Sequence, residues 1–185
     1  MNKFMKVGIV GVLSLGILAG CGEVEKVETT SGSSGETKTE APTEQKAKPT
    51  DNLKVGETVK IDDFEITLNS AEKFEPTEFD FVEKEGNQFI VVDLNVKNVS
   101  KEQADPSSLM LSLKTEDGST SMNAYSSKEE SQWADNIINK LPAGSGFKAQ
   151  TSFEVKPEMI SKPFEVIIQN AITGGQAIYK HDGIK

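Results

Sequence analysis

The chain has 185 residues, with 20 Lys, no Arg, 29 acidic residues and one His, for a formal net charge of -9. That balance argues against nucleic-acid binding, which depends on clustered cations, because here the lysines are interleaved with acids. The one cysteine rules out an internal disulfide framework, and the one histidine rules out a histidine-rich metal centre.

Residues 1–6 carry Lys3 and Lys6, and the run from Val7 to Leu18 is uncharged and rich in Val, Leu and Ile. This has the shape of an export signal. The uncharged stretch is shorter than the ~20 residues a helix needs to cross the hydrocarbon core, and no stop-transfer charges follow it. Leu18-Ala19-Gly20-Cys21 resembles the lipobox of bacterial lipoproteins. The resemblance implies a signal peptide at 1–20, cleavage between Gly20 and Cys21, and acylation of Cys21 with palmitate-type chains. More than one acyl chain gives stable anchoring, so the expected place is the outer face of the cell membrane. Removing the signal takes away two lysines and no acid, which leaves 18 Lys against 29 acids and a charge of -11.

From Cys21 to Asn52 the chain is built mainly of Glu, Lys, Thr, Ser, Gly and Pro. Such a composition cannot form a core and predicts a disordered tether over 21–52, with an end-to-end distance of about 30 Å. The remaining residues, 53–185, are enough for one domain that needs no metal or disulfide staple.

Within that domain, apolar and polar residues alternate with period two. Thr58–Ile61 reads as an opening strand. Phe64, Ile66 and Leu68 share one face of the next, followed by Ile90, Val92, Leu94 and Val96, and then by Leu109, Leu111 and Leu113 before the Glu116-Asp117-Gly118 turn signal. A short return through Met122 and Ala124, strands through Phe147–Val155 and Phe164–Ile168, and a last strand over Ala177–Lys180 bring the total to about eight. That spacing predicts an all-β, immunoglobulin-like antiparallel β-sandwich. One segment departs from the pattern. Ser127 to Glu130 fits a capping box, and Trp133, Ile137, Ile138 and Leu141 follow at helical spacing, which predicts a short helix over about 128–140 across one end or edge of the sandwich.

Three blocks carry a family resemblance: Lys54-Val55-Gly56-Glu57-Thr58 leading to Phe64–Leu68, Gly86-Asn87-Gln88-Phe89 running to Val96-Lys97-Asn98, and Leu141-Pro142-Ala143-Gly144 ahead of Phe153-Glu154-Val155. Together, over about 54–180, they resemble the DUF4352 family, a telokin-like, immunoglobulin-like extracellular domain found mostly in Gram-positive bacteria. The Lys-only, Asn-rich composition agrees with such a source. The resemblance implies a fold shared with the mycobacterial immunoprotective antigen, and no activity, cofactor or ligand.

Chemistry is sparse. His181 is close to the chain end and reads as an exposed terminal histidine, and there is no nucleophile elbow, P-loop or dinucleotide fingerprint. No catalytic residues, cofactor or enzyme activity are expected. Glu78, Asp80 and Glu83 lie in an acidic stretch that is a weak calcium candidate, because it lacks the alternating Asp/Asn pattern and glycine of a calcium loop. The phenylalanines of that stretch are expected to turn into the core. The alternative reading has Phe79 and Trp133 on sandwich-end loops as contacts for a partner, with Trp133 as a core cap the competing reading. The leading functional expectation is a non-catalytic, monomeric display module whose partner is an envelope protein or wall polymer. A calcium- or solute-sensing lipoprotein and a structural or antigenic coat protein are the alternatives.

Overall fold

The structure, a computed structural model, describes residues 24–26 and 50–185. The expected signal peptide with Gly20, the expected lipid site Cys21 and residues 27–49 of the expected tether lie outside the described residues. Ten strands appear among them: β1 Val24–Lys26, β2 Thr50–Leu53, β3 Thr58–Ile61, β4 Phe64–Phe74, β5 Gln88–Asn98, β6 Leu109–Thr115, β7 Thr120–Ala124, β8 Gly146–Val155, β9 Phe164–Asn170 and β10 Gln176–His181. The eight strands read from alternation are all present. The two others, β1 and β2, begin within 21–52, so strand pairing starts before Leu53.

The ladder runs in the order β1-β3-β4-β5-β8-β7-β6-β9-β10-β2. Strand β7 joins the two halves, because Thr120–Met122 pair with β6 while Asn123 and Ala124 pair with β8. All pairs are antiparallel except β10 with β2. The result is a β-sandwich, as expected. Its core is made by the inward residues of each alternating strand: Phe64, Ile66 and Leu68 on β4, Leu109, Leu111 and Leu113 on β6, and Val166 and Ile168 on β9. Burying one face and wetting the other is what period-two patterning encodes.

Two buried polar groups hold the frame. Asn98 is fully buried, its Nδ2 donates to the carbonyls of Glu102 and Leu141 at 2.7 and 2.9 Å, and its Oδ1 accepts the Ser100 N–H at 2.9 Å. The Lys-Asn ending of β5 is therefore a hub that ties β5 to the turn before β8. The Tyr179 hydroxyl, also buried, donates to the carbonyls of Glu57 and Ile66 at 3.0 and 2.9 Å, and burial raises its pKa.

The helix is shorter than expected. Only α1, Trp133–Asn136, is α-helical in the segment predicted over 128–140, and its N-cap Gln132 makes no side-chain cap bond. The capping-box residues have other partners: Ser127 bonds to Asp80, and Glu130 donates its N–H to the Gln150 side chain, while the neighbouring Glu129 accepts from Ser126 and Ser152. One turn still suffices to lay Trp133 onto β8, edge-on to Phe147 at 5.8 Å. A second turn, α2 Pro157–Ile160, follows β8.

Register divides the sandwich into two ends. One carries the β3–β4 turn, the Asn98 hub and the β9–β10 turn at 171–175. The other carries loop 75–87, the β6–β7 turn at 116–119, α2 and the chain end.

Candidate interaction site

The alternation of β5 breaks at Phe89–Val92, where four successive residues are buried. Phe89 and Val91 face away from the main core, opposite Glu154 and Ser152 of β8. Loops 75–87 and 125–131 fold over that outer face and explain the second buried patch. Phe74 contributes to it by stacking on Phe89 at 6.4 Å.

Two carboxylates pin these loops. Asp80 Oδ2 accepts the Thr77 N–H at 2.8 Å, the Thr77 hydroxyl at 2.7 Å and the Ser127 hydroxyl at 3.0 Å, while Oδ1 accepts the Ser127 N–H. Partial burial works against the charged form, but these donors outweigh it and hold the Asp80 pKa down at about 2. Glu154 is the second pin. It accepts the N–H groups of Glu83 and Lys84 at 2.8 and 3.0 Å and the Asn87 amide at 2.7 Å, and these bonds lower its pKa against the effect of burial. Beneath them Glu129, raised in pKa by burial, accepts the Ser152 hydroxyl at 2.6 Å.

With its backbone fixed in this way, the loop turns its aromatics outward. Phe79 and Phe81 are each 80% exposed, contrary to the expectation that they enter the core. The Asp80 N–H bonds to the Thr77 carbonyl at 3.1 Å, so the chain turns here and the spacing of the two phenylalanines carries no strand periodicity. Phe81 lines a cleft of about 590 Å³ together with Met122, Tyr125, Asn87, Glu154 and Met159. Tyr125 and Met122 are also half exposed. At the cleft rim Asp117 accepts from Thr115, Ser119 and Lys156, and these bonds lower its pKa. The cleft has aromatic and thioether walls, with amide and carboxylate groups at its margin.

The other sequence candidates are placed differently. Trp133 is 3% exposed and belongs to the core, so it is not a surface contact. Glu78 is exposed, and Glu83 enters the network through its backbone N–H. Among the described residues no three of His, Cys, Asp and Glu come together as a metal-binding group, and no helix is long and apolar enough to cross a membrane. His181 is half-buried rather than an exposed terminal histidine. It stacks on Phe164 at 4.6 Å, its Nδ1 accepts the Gly183 N–H at 3.1 Å, and burial lowers its pKa.

Sequence reasoning missed Tyr125, Met122 and Glu154. Tyr125 offered a signal as a lone aromatic in a polar stretch. Glu154 offered none, because an acid between Phe153 and Val155 reads as an ordinary outward residue and its partners are about 70 positions away.

A family model described as Domain of unknown function (DUF4352) matches residues 53–178. The chain belongs to the DUF4352 family. The DUF4352 motif residues 96–98 and 141–144 are thus the Asn98 hub and the turn it grips. No curated protein matches the chain. Among solved structures, the DUF4352 domain is similar to the yjhA protein from Bacillus subtilis, at 12% identity and TM-score 0.54 over 69% of this chain and 98% of that one. It is also similar to a functionally unknown protein from Listeria monocytogenes, at 12% identity and TM-score 0.51 over 69% of this chain and 81% of that one. A provisionally assigned lipoprotein from Staphylococcus aureus matches at 12% identity and TM-score 0.50 over 71% of this chain and 90% of that one. At these identities the likeness speaks for the fold alone.

Proposed function

We propose that this chain is a lipid-anchored, extracytoplasmic DUF4352 module that binds an envelope protein or wall polymer through loop 75–87 and the adjoining cleft, without catalysing a reaction. One observation carries the reading. Two phenylalanines at 80% exposure stand on a loop that Asp80 and Glu154 fix in place. Exposed aromatics on a preorganised loop are the groups that anchor interfaces, because little ordering entropy remains to be lost on binding. The lipobox-like Leu18–Cys21 supports the anchor and the extracytoplasmic address.

Asp80 and Glu83 are poorly placed to hold calcium. Both Asp80 oxygens already accept hydrogen bonds, and Glu83 contributes its backbone rather than its carboxylate.

The test compares chemically crosslinked envelopes from cells making the wild-type chain, the double variant Phe79→Ser/Phe81→Ser, and Met110→Ser, a half-exposed apolar control on β6. A discrete adduct that falls at least fivefold in the double variant and persists in the control is expected. An adduct insensitive to the double substitution would remove the site assignment. Mass spectrometry of the mature N-terminus checks the anchor, and an unmodified Cys21 would remove it.

A further inference from the structure

We propose that the sandwich end bearing the β9–β10 turn is a seat for the lipid surface, with Ile172 as its contact, so that the aromatic end faces away from the membrane. The proposal rests on the reading that Cys21 carries the lipid. Two independent features bring the N-terminal chain to this one end. Strand β2 runs parallel to β10 with Thr50 opposite Ala177, so the chain joins the domain beside turn 171–175. Strand β1 runs antiparallel to β3 with Val24 opposite Ile61, so β1 begins at the end that carries the β3–β4 turn. Cys21 is three residues earlier, and three residues span at most about 11 Å.

These two turns form one face. Asp62, in the left-handed region with φ 52°, accepts the Asn170 amide at 2.7 Å and the Thr173 hydroxyl at 2.6 Å. Asn170 Oδ1 in turn accepts the N–H groups of Ile172 and Thr173 at 2.9 and 3.2 Å. On this clamped turn Ile172 is 84% exposed, the most exposed large apolar residue of the domain. Ile138, 75% exposed, precedes Leu141, which pairs with Ala104 at the same end. Apolar tips beside the point where a lipid-linked chain arrives suit an apolar lipid surface. Acids and lysines are mixed at this end, Asp62 and Asp63 with Lys101 and Lys140, so the proposed contact rests on apolar exposure and not on charge. Strands β4 and β5, each of 11 residues, put loop 75–87 about 35 Å away from this face.

The test uses the mature chain 21–185 with a maleimide lipid coupled to Cys21, its only cysteine, in phosphatidylcholine nanodiscs that carry a gadolinium-chelating headgroup lipid. Paramagnetic relaxation of backbone amides is read by NMR. Amides of Ile172 and Thr173 are expected to relax at least tenfold faster than those of Phe79 to Phe81, and Ile172→Ser is expected to cut that ratio at least threefold. Equal relaxation at the two ends, or faster relaxation at the Phe79 end, overturns the orientation. A ratio unchanged by Ile172→Ser overturns the assignment of the contact. Because the lipid is attached chemically, these outcomes stay separate from whether cells acylate Cys21.

Discussion

Replacing Asp80 with Ala removes the acceptor of four hydrogen bonds, two from Thr77 within loop 75–87 and two from Ser127 that join it to loop 125–131. The magnitude follows from the titration. Lowering a carboxyl pKa from 3.8 to about 2 corresponds to roughly 2 kcal/mol of preference for the charged, bonded state, and the half-exposed position screens this to about 1 kcal/mol. That is about a fivefold rise in the population of the undocked loop. Because the folded-state pKa lies below the unfolded value, the contribution is complete above about pH 4 and is lost as pH falls through about 2. Hydrogen exchange is the direct assay, since the Thr77 and Ser127 amides are themselves donors to Asp80. Their exchange is expected to accelerate about fivefold in Asp80→Ala, with core amides such as Leu94 unchanged and Asp80→Asn intermediate. Unchanged exchange at Thr77 and Ser127 would refute the view that this carboxylate holds the aromatic loop.

Other expectations concern the frame and its pH response. Trp133→Ala should destabilise the domain by about 3–5 kcal/mol in urea unfolding, as a buried aromatic truncation does, while a loss under about 1 kcal/mol would speak against its core role. Asn98→Ala strands the carbonyls of Glu102 and Leu141 and should cost about 2–4 kcal/mol by the same measurement. Glu129 has a folded-state pKa raised by burial, so the ionised form weakens the fold as pH rises above the ordinary 4.5. Glu129→Gln should therefore raise the melting temperature at pH 7, with the gain vanishing below pH 4.5. A gain that persists in acid would contradict the burial argument.

The frame was legible because its information is local. Phe64/Ile66/Leu68 and Leu109/Leu111/Leu113 alternate as half-buried strands must, and both face the core. The interaction site was not legible, for identifiable reasons. Ser127 and Glu130 match a capping box, but Ser127 bonds to Asp80, 47 positions away, and Glu130 donates its N–H to Gln150, 20 positions away, so tertiary contacts displaced the local motif. Phe79 and Phe81 are i and i+2, a strand-like spacing, yet the turn closed by Asp80 and Thr77 points both outward. Strand β2 carries only Leu53 as a buried residue and takes its order from pairing with β10, which composition cannot reveal.

As proposed, the domain is an oriented display module, with lipid at one end and partner contact at the other. Photo-crosslinking in intact cells, from a benzophenone side chain placed at position 81 or at position 172, tests it most directly. Adducts to protein or wall polymer are expected from position 81 and adducts to lipid from position 172. Lipid adducts from position 81, or no partner adduct there, would contradict it.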